Sequence, residues 1–96
     1  MLTIKLFDYV GSFGENKDVA QKIRAEVLSP ALESGQRVVL DFGKVDATTQ
    51  SFVHALISDL IRQNGSEVLE KLSFKNCTTN VQKIIEIVVE YMQESL

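Results

Sequence analysis

The chain has 96 residues, 45% of them hydrophobic, and ten Lys plus Arg against thirteen Asp plus Glu leave a formal net charge of −3. This length predicts a single domain over residues 1–96 with one core, and the acidic balance without any basic run counts against nucleic-acid binding. One cysteine, Cys77, and one histidine, His54, exclude an internal disulfide and the usual zinc sets.

No cofactor is implied. The chain starts on a strand-like pattern without a basic and apolar leader, and no apolar run is long enough to span a bilayer. The expected location is therefore the cytoplasm, with no membrane partner.

Leu2, Ile4 and Leu6 alternate with Thr3, Lys5 and Phe7, which predicts a strand with one buried face. Gly11 to Gly14, "GSFG", reads as a turn. A phosphate cradle is the other reading, but the Lys-Ser/Thr ending of a P-loop is missing. Asn16 or Asp18 caps the next helix, with a core stripe of Val19, Ile23, Val27 and Ala31. Pro30 falls inside that stripe. It predicts a break near Ser29, with Ser29 capping a short turn from Pro30 to Ser34 and Gly35 as the stop.

"RVVLDF", residues 37–42, is nearly continuous in apolar side chains, so it predicts a central strand covered on both faces and parallel to a neighbour. Phe52, Val53, Leu56, Ile57, Leu60 and Ile61 form a helical stripe that ends at Asn64-Gly65. Leu72 and Phe74 mark a third strand. Thr79 or Asn80 then caps a last helix over about residues 81–93. The order strand, helix, strand, helix, strand, helix predicts an α/β sandwich.

In the last helix Val81, Ile85, Val88, Val89 and Met92 share a core face. Ile84, Ile87 and Tyr91 continue onto its margin. They are either wedged between sheet and neighbouring helix or form a partner surface or homodimer seam.

The segment "KVDATTQSFVHAL", residues 44–56, is richest in chemistry. It lies at the carboxyl end of a buried strand, where open α/β sheets bind ligands, and leads into a helix N-terminus with free N–H groups. Thr48, Thr49 and Ser51 serve there as a helix cap worth about 1 kcal/mol, or as a regulated hydroxyl that a phosphate would recharge. Asp46, Thr48, Thr49 and Gln50 together are too polar to bury without partners, so the loop is expected to be exposed. His54 reads as structural, and Asp41 as a hydrogen-bond acceptor for loop backbone. Cys77 reads as a small half-buried residue, or else as a thiolate at a helix start.

The string "GQRVVLDFGKVDATTQSFVHALISDL", residues 35–60, resembles the STAS-like domains, relatives of the bacterial anti-sigma-factor antagonists that often occur beside histidine-kinase-type ATPase domains. The resemblance implies a small STAS-like sandwich, with a mixed β-sheet of three main strands alternating with α-helices. It also implies a module that is not an enzyme. Such a module regulates a protein partner, such as a histidine-kinase-type ATPase, through the loop Asp46, Thr48, Thr49, Gln50 and Ser51. In the classical antagonists this loop reads Asp-Ser-Ser-Gly, and its first serine is phosphorylated by the partner. Aligning the central strands sets Thr49 at the aspartate, Gln50 at that serine, Ser51 at the second serine and Phe52 at the glycine. Glutamine cannot accept a phosphoryl ester, so the chain departs from the classical switch at its decisive position.

The outer face of the following helix, with Ser58 and Arg62 beside Ala55, extends the expected partner surface. Two other functions are open on the residues alone. One is a small nucleotide-binding protein or enzyme using the Gly11–Gly14 loop with Asp41 or His54. The other is a structural subunit that oligomerises through Ile84, Ile87 and Tyr91.

Overall fold

Alternation in three short segments builds the sheet. In the computed structural model, which describes residues 1–94, β1 (Leu2–Lys5), β3 (Val38–Asp41) and β5 (Leu72–Lys75) lie in the order β1-β3-β5. The α/β class and the central place of "VVLD" are as expected. The sheet, however, is parallel throughout and not mixed. Each link between its strands carries a helix back to the starting end, as parallel neighbours require.

The register aligns Leu2, Val38 and Leu72 in one row and Ile4, Leu40 and Phe74 in another, and this face meets the core. Rows Thr3-Val39-Ser73 and Lys5-Asp41-Lys75 occupy the other face. There only Val39 and Asp41 are even half-buried. The expectation that both faces of β3 are covered is therefore corrected. Val39 is shielded by its two flanking strands and not by a second layer.

The first helical region begins as expected. Asn16 Oδ1 accepts hydrogen bonds from the N–H groups of Asp18 at 2.9 Å and Val19 at 3.3 Å, starting α2 (Lys17–Ile23). The expected break at Ser29 does not occur. Residues Arg24–Leu28 form a π-helical turn, in which the Ser29 N–H reaches back five residues to the Arg24 carbonyl, and α3 (Ser29–Glu33) continues from it. Ser29 has helical dihedrals and caps nothing. The wider turn takes up the register fault that the missing Pro30 N–H would otherwise cause. The core stripe also differs from the expected one: Ala20 and Leu28 are buried, with Ile23 and Ala31, while Val19 and Val27 are half-buried. Gly35, at φ 85°, ends α3 with paired bonds from Gly35 N to Leu32 O and Gln36 N to Ala31 O, both 3.0 Å.

α4 (Gln50–Asn64) follows its predicted stripe: Phe52, Val53, Leu56, Ile57, Leu60 and Ile61 are all buried, and Gly65 ends it. A 3₁₀ turn, Ser66–Glu70, leads to β5. α5 (Thr79–Glu94) buries Val81, Ile85, Val88 and Met92. Its cap is Thr78, whose Oγ1 accepts from Val81 N at 3.3 Å, and neither Thr79 nor Asn80. α4 packs against α2 on one side and α5 on the other.

The turn expected at "GSFG" has more structure than that. After the single helical turn α1 (Phe7–Val10), β2 (Phe13–Gly14) pairs in parallel with β4 (Ala47–Thr48). Gly14 makes this approach possible. A Cβ there would stand 3.1 Å from Thr48 Cγ2 and 3.2 Å from the Phe52 ring. Gly14→Ala is expected to lower stability by about 1–3 kcal/mol in chemical denaturation, because the added methyl overpacks this contact.

Candidate functional site

The site is built where the loop after β3 enters α4. Thr49 is extended (φ −91°, ψ 159°), and its Oγ1 accepts from Phe52 N at 3.1 Å, which makes it the N-cap. Ser51, another of the three candidate caps, lies inside the first turn and is exposed. Its Oγ stands 3.2 Å from Thr49 Oγ1.

Hydrogen bonds hold the loop from two sides. On the β2 side Asp46 N donates to Ser12 O at 2.8 Å and Thr49 N to Gly14 O at 3.0 Å. On the α5 side Thr78 Oγ1 donates to Asp46 O at 2.8 Å, and Thr48 N donates to Asn80 Oδ1 at 3.2 Å.

This clamping corrects the expectation of a wholly exposed loop. Asp46, Gln50 and Ser51 are exposed and Thr49 is half-buried, but Thr48 is 5% exposed. Its Oγ1 is buried without a hydrogen-bond partner. Ser58 is likewise only 3% exposed, because α2 lies across the outer side of α4; Arg62 remains exposed and donates to Asp59 Oδ1 at 3.0 Å. On α5, Ile84 is half-buried, whereas Ile87 is 46% and Tyr91 58% exposed.

The start of α4 and the margin of α5 meet. Gln50, Ser51 and His54 from α4 and Val88 and Tyr91 from α5 line one groove of about 420 Å³. The His54 and Tyr91 rings lie 6.4 Å apart, tilted by 56°. Residue spacing alone makes His54 structural and keeps the two surfaces apart, since nothing in it relates residues 50–54 to 88–91. Asn80 is expected only as a helix cap, and its reach to the loop, like that of Thr78, has no local signal.

A second, smaller cavity, about 250 Å³, lies at the carboxyl end of the sheet and includes Lys5, Phe7, Asp41, Lys44 and Asn76. Asp41 Oδ1 accepts from Gly43 N at 2.8 Å and Asn76 Nδ2 at 3.0 Å, so it does bind loop backbone as expected. The Asn76 bond, then the Gly43 bond and the charges of Lys75 and Lys5, hold its carboxyl below the ordinary range. Lys44, at φ 69°, places its ammonium 5.6 Å from the Phe7 ring centroid. Burial, then the charge of Asp41, pushes the Cys77 thiol up, against a stabilised thiolate. Among the described residues no group of three or more His, Cys, Asp or Glu is placed to hold a metal ion, and no helix is long and apolar enough to cross a membrane.

Three substitutions separate the hydroxyls. Thr49→Ala should cost about 1 kcal/mol of unfolding free energy, and Ser51→Ala close to nothing. Thr48→Val should leave stability unchanged or raise it by about 1 kcal/mol, since it removes an unpaired buried hydroxyl and keeps the shape. Asp41 adds a pH signature. Its folded pKa is depressed, so its contribution is present above the unfolded value and lost as pH falls below about 4. Asp41→Asn should therefore flatten the acid limb of stability against pH, measured by urea unfolding at several pH values.

With this geometry in view, a family model described as "STAS-like domain of unknown function (DUF4325)" matches residues 19–82. No curated protein and no solved structure matches the chain significantly. The matched span runs from α2 through the clamped loop and α4 to the start of α5, and the chain belongs to this STAS-like family.

Proposed function

We propose that this chain is a non-catalytic interaction domain. It regulates a protein partner, such as an ATPase of the histidine-kinase fold in the cytoplasm, through the edge formed by the start of α4 and the exposed flank of α5. One observation carries the reading: Gln50 and Ser51, which align with the switch loop of the classical antagonists, line the same groove as Tyr91 from the margin of α5. Gln50 and Ser51 supply polar contacts there. Tyr91 supplies apolar ones above the buried Val88, with Ile87 exposed beside it. An apolar centre with a polar rim suits reversible protein contact.

In this reading Gln50 stands where the classical antagonists carry their phosphorylated serine, so regulation by charge falls to Ser51 one residue later. A negative group at Ser51 would lie in the first turn of α4, where the helix dipole favours it. The smaller cavity at the sheet end gives less support to a nucleotide-binding reading. At 250 Å³ it falls below the roughly 300–1,000 Å³ of ordinary ligand sites. The Gly11–Gly14 segment is engaged with the loop through Ser12 O and Gly14 O.

Capture of partners from the native cell extract, with mass spectrometry, tests the proposal. A single partner should be retained by the wild-type chain and lost from Ile87→Glu and Tyr91→Glu. Ser51→Asp should change its affinity by well over the few tenths of a kcal/mol expected of a surface change. Retention by all three variants, each shown to be folded by circular dichroism, would remove this edge from the interaction.

A further inference from the structure

We propose that the segment received at this edge is an acidic, amphipathic stretch of a partner protein. Its apolar side chain would sit in the α4–α5 groove and its carboxylates along the neighbouring α2–α4 groove. The inference rests on the docking edge proposed above and adds the chemistry of its occupant.

Ser51 and His54 line both grooves, so the first turns of α4 form a ridge between them. The groove on the α2 side is about 370 Å³ and carries Lys17, Arg24 and Arg62, with Asp59 as the one carboxylate in its lining. Both guanidiniums, those of Arg24 and Arg62, already donate to Asp59. A guanidinium has five N–H donors in a fork suited to carboxylates, so one bond to Asp59 leaves most of that capacity for an incoming acid. The groove runs along α4, from Ser51 in the first turn, where the positive end of the helix lies, to Arg62 in the last.

Three cations against one carboxylate make this a local positive patch on a chain whose net charge is −3. The opposite border has the other sign. Past Ile87, α5 presents exposed Glu86, Glu90 and Glu94 against a single cation, Lys83. An acidic segment is therefore drawn to the α2 side and repelled from the far side of α5, which sets its direction across the ridge. The apolar groove with Tyr91, and the small number of cations, suit a peptide and not a phosphate backbone.

Selection of a random dodecapeptide display library against the full chain tests this with no partner identified in advance. Enriched peptides should be acidic with an apolar or aromatic residue, and should bind more weakly as salt rises. The double variant Lys17→Glu with Arg62→Glu should weaken them by about tenfold or more. Both of these side chains are exposed, and the fold of the variant is checked by circular dichroism. A basic or uncharged consensus, or no enrichment, overturns the proposal. Peptides that need Tyr91 yet tolerate the double charge reversal overturn the charge inference only. Acidic peptides indifferent to Tyr91→Glu overturn the docking edge itself.

Discussion

Residues 46 to 49 are held by four hydrogen bonds to two separate parts of the chain, Ser12 and Gly14 before α2 and Thr78 and Asn80 at the start of α5. The clamp ties the start of α4 to the start of α5, two helices that also pack directly against each other. Thr78 acts twice, donating to the Asp46 carbonyl and capping α5 through Val81 N, so the loop and the α5 start cannot move independently. Thr49 likewise donates its N–H to Gly14 and caps α4 through its side chain. A loop fixed at both ends holds the backbone of Gln50 and Ser51 beside the groove that they line with Tyr91. Preorganisation of this kind lowers the ordering cost of binding.

Much of this architecture is legible from local pattern. The α4 stripe, a cap at Asn16 or Asp18 (Asn16 in the fold), the Gly35 and Gly65 stops and the central place of "VVLD" all rest on spacing or on single-residue chemistry, and all are present. Pro30 misleads because a proline announces a fault without saying how the backbone absorbs it. Here a π-helical turn does so. The β2–β4 pairing is invisible in the sequence because two-residue strands carry no periodicity and Gly14 signals only a break. The uncovered sheet face is obscured by Val39, an apolar side chain that its neighbours in the sheet suffice to shield.

For the candidate site, residue type is informative and burial is not. Thr48, Thr49 and Ser51 have similar side chains within four positions, yet one is buried and unpaired, one caps a helix and one is exposed. Ser58 looks like a surface residue on a helical wheel, and only the packing of α2 across α4 buries it. The family match spans the loop without assigning it a role, and the groove that joins it to Tyr91 exists only in three dimensions. The two cavities beside this loop also differ in character. The sheet end holds a small charged cavity organised by Asp41, and the helix edge holds the larger, partly apolar groove.

Site-specific photo-crosslinking in the native cell tests the central claim most directly. Benzoylphenylalanine would be placed at Ser51, at Ile87 and, on the open sheet face, at Ser73. The account predicts that Ser51 and Ile87 crosslink to the same partner protein and that Ser73 does not. Crosslinks from Ser73 with none from Ser51 or Ile87 would contradict it, because the partner would then cover the sheet and not the α4–α5 edge.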